Sequence, residues 1–467
     1  NRTAKPTSRQ VFFIHDFPWR LCALAVQTNS PASALDHRLR RLFSPRVERL
    51  PGFRDFYPEP LPDGEAWSAS VRKDIFESWH NVAERYAFQL YDGPPLEPLS
   101  LFTAKSGQEI VGQLYNFEDK GERAVALRPE MTPTVARMVA ARERHYKKPI
   151  KWYSIPQLFR YERQQKGRLR EHFQFNADIF GEADPAADAE LIAMLIDLLR
   201  DFDLTAEDFV IRLSSRNAWQ DFFNRNGGDE SKAYDFYQAV DKLERTAPEE
   251  SEKKFQALGF TLEQVRNFIA AGEPTDELQA VLDNLAARGM SDFVKIDYNV
   301  IRGLAYYTGV VYEAFDRHGK FRAIAGGGRY DQLVSLVSGG KKNIPAAGFA
   351  MGDVVLVELL KDRKLLPEIH GNIEIYALLE DESKRPATLS MIQMLREEGW
   401  NVEYPLAPIK PDKQFRRALE LGAELTVRIE DDESAVLKNL NTKIEKKIPI
   451  HELAEHLFKT ICENDLE

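Results

Sequence analysis

The sequence predicts an α+β protein of more than one domain, on three observations. Between residues 112 and 180, short stretches of alternating apolar and polar residues, separated by turn signals, read as antiparallel strands. From about 215 to 292 the strand signals vanish and helical patterns follow one another. Beyond Pro367 strand and helix patterns alternate, the order of a small parallel or mixed sheet covered by helices. At 467 residues, with 43% hydrophobic and 29% charged residues, the chain has the balance of an ordinary globular protein and the length for two or three cores.

Residues 1–49 differ in kind from the rest, with nine Lys/Arg against three Asp/Glu. An organelle transit peptide has this composition; a disordered extension or a wrongly assigned start would account for it as well. The folded body is expected from near Leu50. Pro51-Gly52, Pro58, Pro60 and Pro62 lead into a helix over 67–88, where Val71, Ile75, Phe76, Trp79, Val82, Ala83 and Tyr86 recur at helical spacing. Strands follow at 112–118, 124–127, 150–153 and 173–180, then a helix at 187–200 with an acidic start and a Leu/Ile stripe. Helices at 231–243, 262–270 and 276–287 form an insertion. Strands return at 293–298 and 310–314, followed by a glycine run and a helix over 353–361. The last region reads as strand 373–379, helix 385–398, strand 402–404, helix 413–421 and strand 425–429. The expected partition is therefore 1–49 (extension), 50–214 and 293–368 (two parts of one core), 215–292 (helical insertion) and 370–467 (α/β domain).

Several function classes are excluded at this level. A net charge of −10 argues against a surface coated in nucleic-acid-binding charge, though it leaves room for a local basic patch. No stretch approaches the roughly 18 apolar residues of a membrane helix; the longest, around Leu21–Val26, is far shorter. The two cysteines, Cys22 and Cys462, offer neither metal spacing nor a disulfide framework, which suits a reducing compartment such as the cytoplasm. The nine histidines show no HExxH or paired-ligand pattern, so no protein-held metal site is expected.

The densest chemical signal is Phe159-Arg160-Tyr161-Glu162-Arg163-Gln164-Gln165-Lys166-Gly167-Arg168-Leu169-Arg170-Glu171-His172. A charge run in a strand–loop–strand setting is commonly a solvated hairpin tip. Here period-two geometry puts Arg160 and Glu162 on one strand face, and the loop returns into Phe173-Gln174-Phe175. An arginine fixed there is pre-organised for an anionic phosphate. Leu127-Arg128-Pro129-Glu130-Met131-Thr132-Pro133-Thr134 reads locally as a turn entering a helix, with Thr132 able to start it. Gln174 and Asp178 share one face of their strand. Ile301-Arg302-Gly303-Leu304-Ala305-Tyr306-Tyr307-Thr308-Gly309 could be merely an aromatic-lined turn. Ala325-Gly326-Gly327-Gly328-Arg329-Tyr330-Asp331 is neither GxGxxG nor a Walker loop and by itself reads as a structural loop.

Taken in order, these segments resemble histidyl-tRNA synthetases, within the class II aminoacyl-tRNA synthetases. The 159–172 segment is similar to motif 2 of that class, and Ala346-Ala347-Gly348-Phe349-Ala350-Met351-Gly352-Asp353-Val354-Val355-Leu356 to motif 3. Gly52-Phe53-Arg54-Asp55-Phe56-Tyr57-Pro58 with the 67–88 helix is similar to motif 1. The resemblance implies a class II antiparallel sheet flanked by helices, a helical insertion and a C-terminal α/β anticodon-binding domain. It implies that Arg160 and Arg302 neutralise the reacting carboxylate and ATP α-phosphate, that Glu162 contacts adenine and that Arg168 lies over the ATP tail. Glu130 and Thr132 would bind the substrate ammonium. Gln174, Asp178, Tyr306, Tyr307 and Tyr330 would line the histidine pocket. Gln165 and Lys166 would approach the tRNA acceptor end. Lys410, Lys413, Arg416 and Arg417 would face anticodon-stem phosphates, although a solvated helix face explains them nearly as well.

The implied activity is ligation of histidine to its tRNA through a histidyl-adenylate, by a homodimer using ATP and Mg²⁺. Three positions depart from the family pattern: Asp178 for a glutamate, Ala305 for an aspartate, and Val355 for the motif 3 arginine that lies against ATP. Arg168, ahead of Arg170 and Arg329, is the expected substitute cation. Ala305 and Val355 also fit a catalytically inactive regulatory subunit of histidine biosynthesis. Against that stand Arg160, Glu162, Glu130, Arg302, Tyr307 and the C-terminal domain. A class II synthetase for another amino acid is a further alternative, disfavoured by the 301–309 peptide.

Overall fold

The computed structural model describes residues 48–64, 66–106, 108–161, 169–301, 307–367 and 373–457. Asn1–Leu50 and Pro51–Glu467 separate as two units, and the architecture here is that of the second.

Its centre is a nine-stranded, mostly antiparallel sheet. In chain order its strands are β1 (Gln89–Leu90), β2 (Ile150–Ser154), β3 (Gln157–Phe159), β4 (Glu171–Phe180), β5 (Phe209–Ser215), β6 (Val294–Ile296), β7 (Val310–Asp316), β8 (Ala325–Arg329) and β9 (Ala346–Gly352). In space they run β6-β5-β7-β8-β9-β4-β2-β1, with β3 paired to the start of β4. Strand β4 shows how the two faces are divided. Phe175, Ala177 and Ile179 join a core with helices α1 (Ala69–Arg85) and α3 (Ala186–Arg200). Helix α3 is apolar on nearly every side and is buried accordingly. The even-numbered residues Gln174, Asn176, Asp178 and Phe180 point the other way. There the apolar end of the sheet is covered by α2 (Thr132–Arg142), with Val135 and Val139 packed among Tyr91, Trp152 and Tyr330.

Two expected elements begin later than their patterns suggest. Trp67–Ser68 pairs in parallel with Phe56–Tyr57, so the helix starts at Ala69. Ser68 Oγ caps it by accepting from Val71 N at 3.0 Å. Instead of a strand from 112, a 3₁₀ turn covers Gln108–Gln113 and only Asn116–Glu118 is extended. The carbonyl of Gln113 is taken by Tyr161 N at 2.9 Å, which draws this backbone out of the ladder.

Five helices, α4 (Arg216–Arg225), α5 (Ala233–Asp241), α6 (Pro248–Ala257), α7 (Leu262–Ala271) and α8 (Asp276–Ala287), lie between the parallel neighbours β5 and β6. Trp219, Phe222, Phe236 and Phe268 cluster at their centre, in edge-to-face, stacked and tilted pairs. Helix α9 (Asp353–Arg363) follows β9 directly. The C-terminal sheet is mixed, as expected. Its strands β10 (Ile375–Ala377), β11 (Val402–Glu403) and β12 (Leu425–Ile429) are parallel neighbours in the order β11-β10-β12, with helices α10 (Arg385–Glu397) and α11 (Pro411–Glu420). A hairpin of β13 (Ser434–Asn439) and β14 (Glu445–Pro449), not foreseen from the sequence, extends it. Among the described residues no helix is long and apolar enough to cross a membrane.

Candidate active site

The polar face of the large sheet has a floor of small residues. Asp178, Asn176 and Gln174 on β4 stand opposite Gly348, Ala350 and Gly352 on β9. Gly348 and Ala350 in turn stand opposite Gly328 and Gly326 on β8. Paired residues share a face, so five small residues form a trough edged by the longer side chains of β4. The glycine run, a loop by its own pattern and a glycine-rich strand by the family resemblance, is a strand, and sterics explain its glycines. A Cβ on Gly328 would lie 2.7 Å from the Val310 carbonyl, and one on Gly327 2.5 Å from Phe349 Cβ. At Gly348 a Cβ would strike the Asp178 carboxylate and come within 2.7 Å of the Ala177 carbonyl. Gly348→Ala should therefore cost about 1–3 kcal/mol of stability, which thermal melting reads.

Asp178 is fully enclosed, and the Tyr330 hydroxyl donates to its Oδ1. Burial pushes the Asp178 carboxyl up to about 7, against the pull of that hydrogen bond. Burial, and then the charge of Asp178, push the Tyr330 hydroxyl well above its ordinary value, so tyrosine keeps the proton. The ring of Tyr307 lies 6.5 Å from that of Tyr330. Tyr330, expected as a wall, thus presents a hydroxyl backed by a carboxylate.

Arg160 follows the last residue of β3 instead of lying within the strand, and its Nε donates to the Pro129 carbonyl at 3.0 Å. That bond brings the motif 2 arginine beside Glu130. The Pro129–Glu130 turn is itself held by buried Arg128, which donates to Gln157 O at 3.1 Å, Gly93 O at 2.6 Å and Asp92 Oδ1 at 3.0 Å. Thr132 is the first residue of α2; Met131 occupies the cap position and offers no side-chain acceptor.

Of the substitute cations considered for Val355, Arg329 is a buried structural group. Its Nε reaches Asp188 Oδ2 at 3.1 Å, and its other nitrogens reach the carbonyls of Glu182 at 2.9 Å and Asp184 at 3.1 Å. Asp331 Oδ1, 3.6 Å from Arg329 Nη1, is a further and looser partner. Burial raises the Asp188 carboxyl to about 6 despite the attraction of Arg329. Arg170 lies over the Tyr161 ring at 4.6 Å. Val355 itself packs half-buried against the main core. Lys413, Arg416 and Arg417 are exposed on α11, Arg417 standing 3.6 Å from Glu420. Glu162, Gln165, Lys166, Arg168, Arg302, Ala305 and Tyr306 lie outside the described residues, as do Cys22 and Cys462. Among the described residues no cluster of His, Cys, Asp or Glu is arranged to hold a metal. Arg54, named from the sequence only as part of the motif 1 segment, joins Glu171 and Asp353 through its guanidinium at the rim of the trough. No spacing relates these three positions.

The family described as Histidyl-tRNA synthetase matches residues 61–352. The chain is 44% identical over 428 residues to the histidine–tRNA ligase of Opitutus terrae, covering 86% of this chain and 96% of that one. To the chloroplastic/mitochondrial histidine–tRNA ligase of Arabidopsis thaliana it is 38% identical over 398 residues, covering 81% and 79%. In fold it is similar to the crystal structure of histidyl-tRNA synthetase from Nostoc sp. PCC 7120, with a TM-score of 0.72 at 22% identity over 89% of this chain and 100% of that one. A trough between motif 2 and motif 3 strands, an arginine set beside the Glu130 turn, and relatives that align along most of its length agree on one assignment: the chain belongs to the histidyl-tRNA synthetase family.

Proposed function

We propose that the chain attaches histidine to its tRNA in two steps within this trough. A histidine carboxylate oxygen forms a bond to the ATP α-phosphorus, the bond to the β-phosphate oxygen breaks, and pyrophosphate leaves. The 2′- or 3′-hydroxyl of the terminal tRNA adenosine then takes the histidyl group, and AMP leaves. Magnesium enters with ATP, as part of that substrate. The observation that carries this reading is the placement of Arg160 beside Glu130 at one end of the row that runs through Gln174 to the Asp178–Tyr330 pair. Two anions meet in the first step, and a fixed guanidinium neutralises the charge that develops there. Glu130, with Thr132, would pair the substrate ammonium, which needs a carboxylate in a desolvated setting. Gln174 and the Tyr330 hydroxyl, with Tyr307, would meet the imidazole.

The roles of Arg302, Tyr306, Glu162 and Arg168 at the reacting groups and ATP, and of Gln165 and Lys166 at the acceptor end, follow from their positions in the family motifs. Lys413, Arg416 and Arg417 on α11 offer an exposed basic row for tRNA phosphates. Pairing of two chains through the motif 1 segment, and residence in the cytoplasm, complete the proposal.

The test is exchange of labelled pyrophosphate into ATP. Exchange is expected with histidine and with no other common amino acid, because a site built for polar contacts rejects side chains that leave them unpaired. The regulatory reading draws support from the core-packed Val355. It would take over if a folded protein given ATP, Mg²⁺ and histidine showed no exchange.

A further inference from the structure

One guanidinium joins three segments that lie far apart in the sequence. Arg54 Nε donates to Glu171 Oε1 at 2.7 Å and its Nη1 to Asp353 Oδ2 at 2.8 Å, with none of the three side chains more than 4% exposed. The guanidinium lies 5.0 Å from the centre of the Phe56 ring and 4.5 Å from that of Trp67. The second oxygen of Glu171 accepts from Gln157 Nε2 at 2.9 Å, and that of Asp353 from Phe173 N at 3.1 Å. The backbone repeats the connection. Arg170 N donates to the Gly52 carbonyl at 2.9 Å, and the Arg170 carbonyl accepts from Arg160 N at 2.9 Å. Arg160 is therefore one residue removed from the Gly52–Arg54 segment, and the first residue of α9 is tied through Arg54 to the first residue of β4.

Two carboxylates that share one guanidinium in a dry setting are tolerated only while each keeps its bond. The planar fork of arginine can serve both at once; the ammonium of lysine is a point charge and cannot hold the same geometry. Helix α9 carries half-buried Val355 two residues after Asp353, packed against the main core, and its first residue is held by Arg54.

We propose that Arg54 is a positioning residue for adenylate formation: through Glu171 and Asp353 it fixes the Arg160 arm and the start of α9 in one geometry, without touching substrate. This rests on the ligase reading of the same trough. The test uses the full chain and measures histidine-dependent pyrophosphate exchange for Arg54→Lys and Asp353→Asn. It resolves kcat, the ATP KM and the histidine KM, with thermal melting alongside. Misplacement of about 1 Å can cost a hundred-fold in rate, so kcat should fall about ten-fold or more in Arg54→Lys. A smaller loss is expected in Asp353→Asn, which keeps the volume and one acceptor. The histidine KM should stay within about two-fold, because the pocket around Asp178 is untouched. If Arg54→Lys fails to fold, Asp353→Asn alone carries the test. A folded variant with wild-type kcat overturns the proposal. So does a defect confined to melting temperature and histidine KM, which marks a merely structural ion pair. A wild-type protein without exchange would instead remove the ligase reading on which the proposal rests.

Discussion

Arg160→Ala is expected to lower histidine-dependent pyrophosphate exchange about a thousand-fold, the scale of losing a group aimed at transition-state charge. The guanidinium is anchored before substrate arrives: Nε is held by the Pro129 carbonyl at 3.0 Å, and the backbone N–H by the Arg170 carbonyl at 2.9 Å. A charge fixed in this way costs little reorganisation at the moment of reaction. Because the charge it opposes peaks in the transition state, the affinity for histidine alone should change far less than the rate. Equilibrium binding of histidine, measured beside exchange, separates the two. If affinity falls as far as rate, Arg160 is a holder of the amino acid and no more. Arg302→Ala should give a comparable loss. The double variant should be much less impaired than two independent effects would give, since groups that act as a unit lose their effect together. Full additivity in free energy would place the two arginines in separate steps.

How much of this was legible beforehand depended on whether the cause was local. The alternation in Phe173-Gln174-Phe175-Asn176-Ala177-Asp178 is local, and it assigned Gln174 and Asp178 to one face correctly. The stripe of helix α1 was equally plain, although its start was not, because the ladder at Trp67–Ser68 is made with Phe56–Tyr57. Gly326 to Gly328 were readable as a strand only through the family resemblance, since glycine has little strand preference of its own. What makes them a strand is the approach of Phe349 on one side and Val310 on the other. The hairpin of β13 and β14 was missed because lysine and glutamate dilute its alternation; only Ala435, Leu437 and Ile448 are buried apolar side chains. Arg329 meets its near neighbour Asp331 only at 3.6 Å, and its closer carboxylate is Asp188 on helix α3. Arg54 shows the same limit more sharply. Its partners lie 117 and 299 residues away, and only the fold brings them together.

Asp178→Asn is expected to weaken histidine binding while stabilising the empty protein at alkaline pH relative to wild type. The two effects have one cause. Burial raises the Asp178 carboxyl to about 7 in the folded state, well above its ordinary 3.8. A group raised on folding stabilises fully below its unfolded pKa. That contribution is lost as pH climbs through the folded one. Between about pH 4 and 7 the wild-type protein should therefore lose stability with rising pH from this site, by a few kcal/mol at most. The asparagine variant lacks that slope, so its melting temperature should move upward relative to wild type across the same window. The measurement is made without histidine, whose own imidazole titrates nearby. With histidine present the order reverses. The Tyr330 hydroxyl donates to the carboxylate and so turns its lone pairs toward the pocket, where they can accept an imidazole N–H. A neutral amide polarises that hydroxyl less, because bonds to a charged acceptor are about twice as strong as neutral ones. The histidine KM should rise about ten- to a hundred-fold, a loss of about 1.4–2.7 kcal/mol. The ATP KM should move little, since the proposed reading gives the phosphates to Arg160 and not to Asp178. A variant with wild-type histidine KM would mean that the imidazole is recognised without Tyr330 and Asp178. A melting difference independent of pH would mean that Asp178 is not the group that titrates.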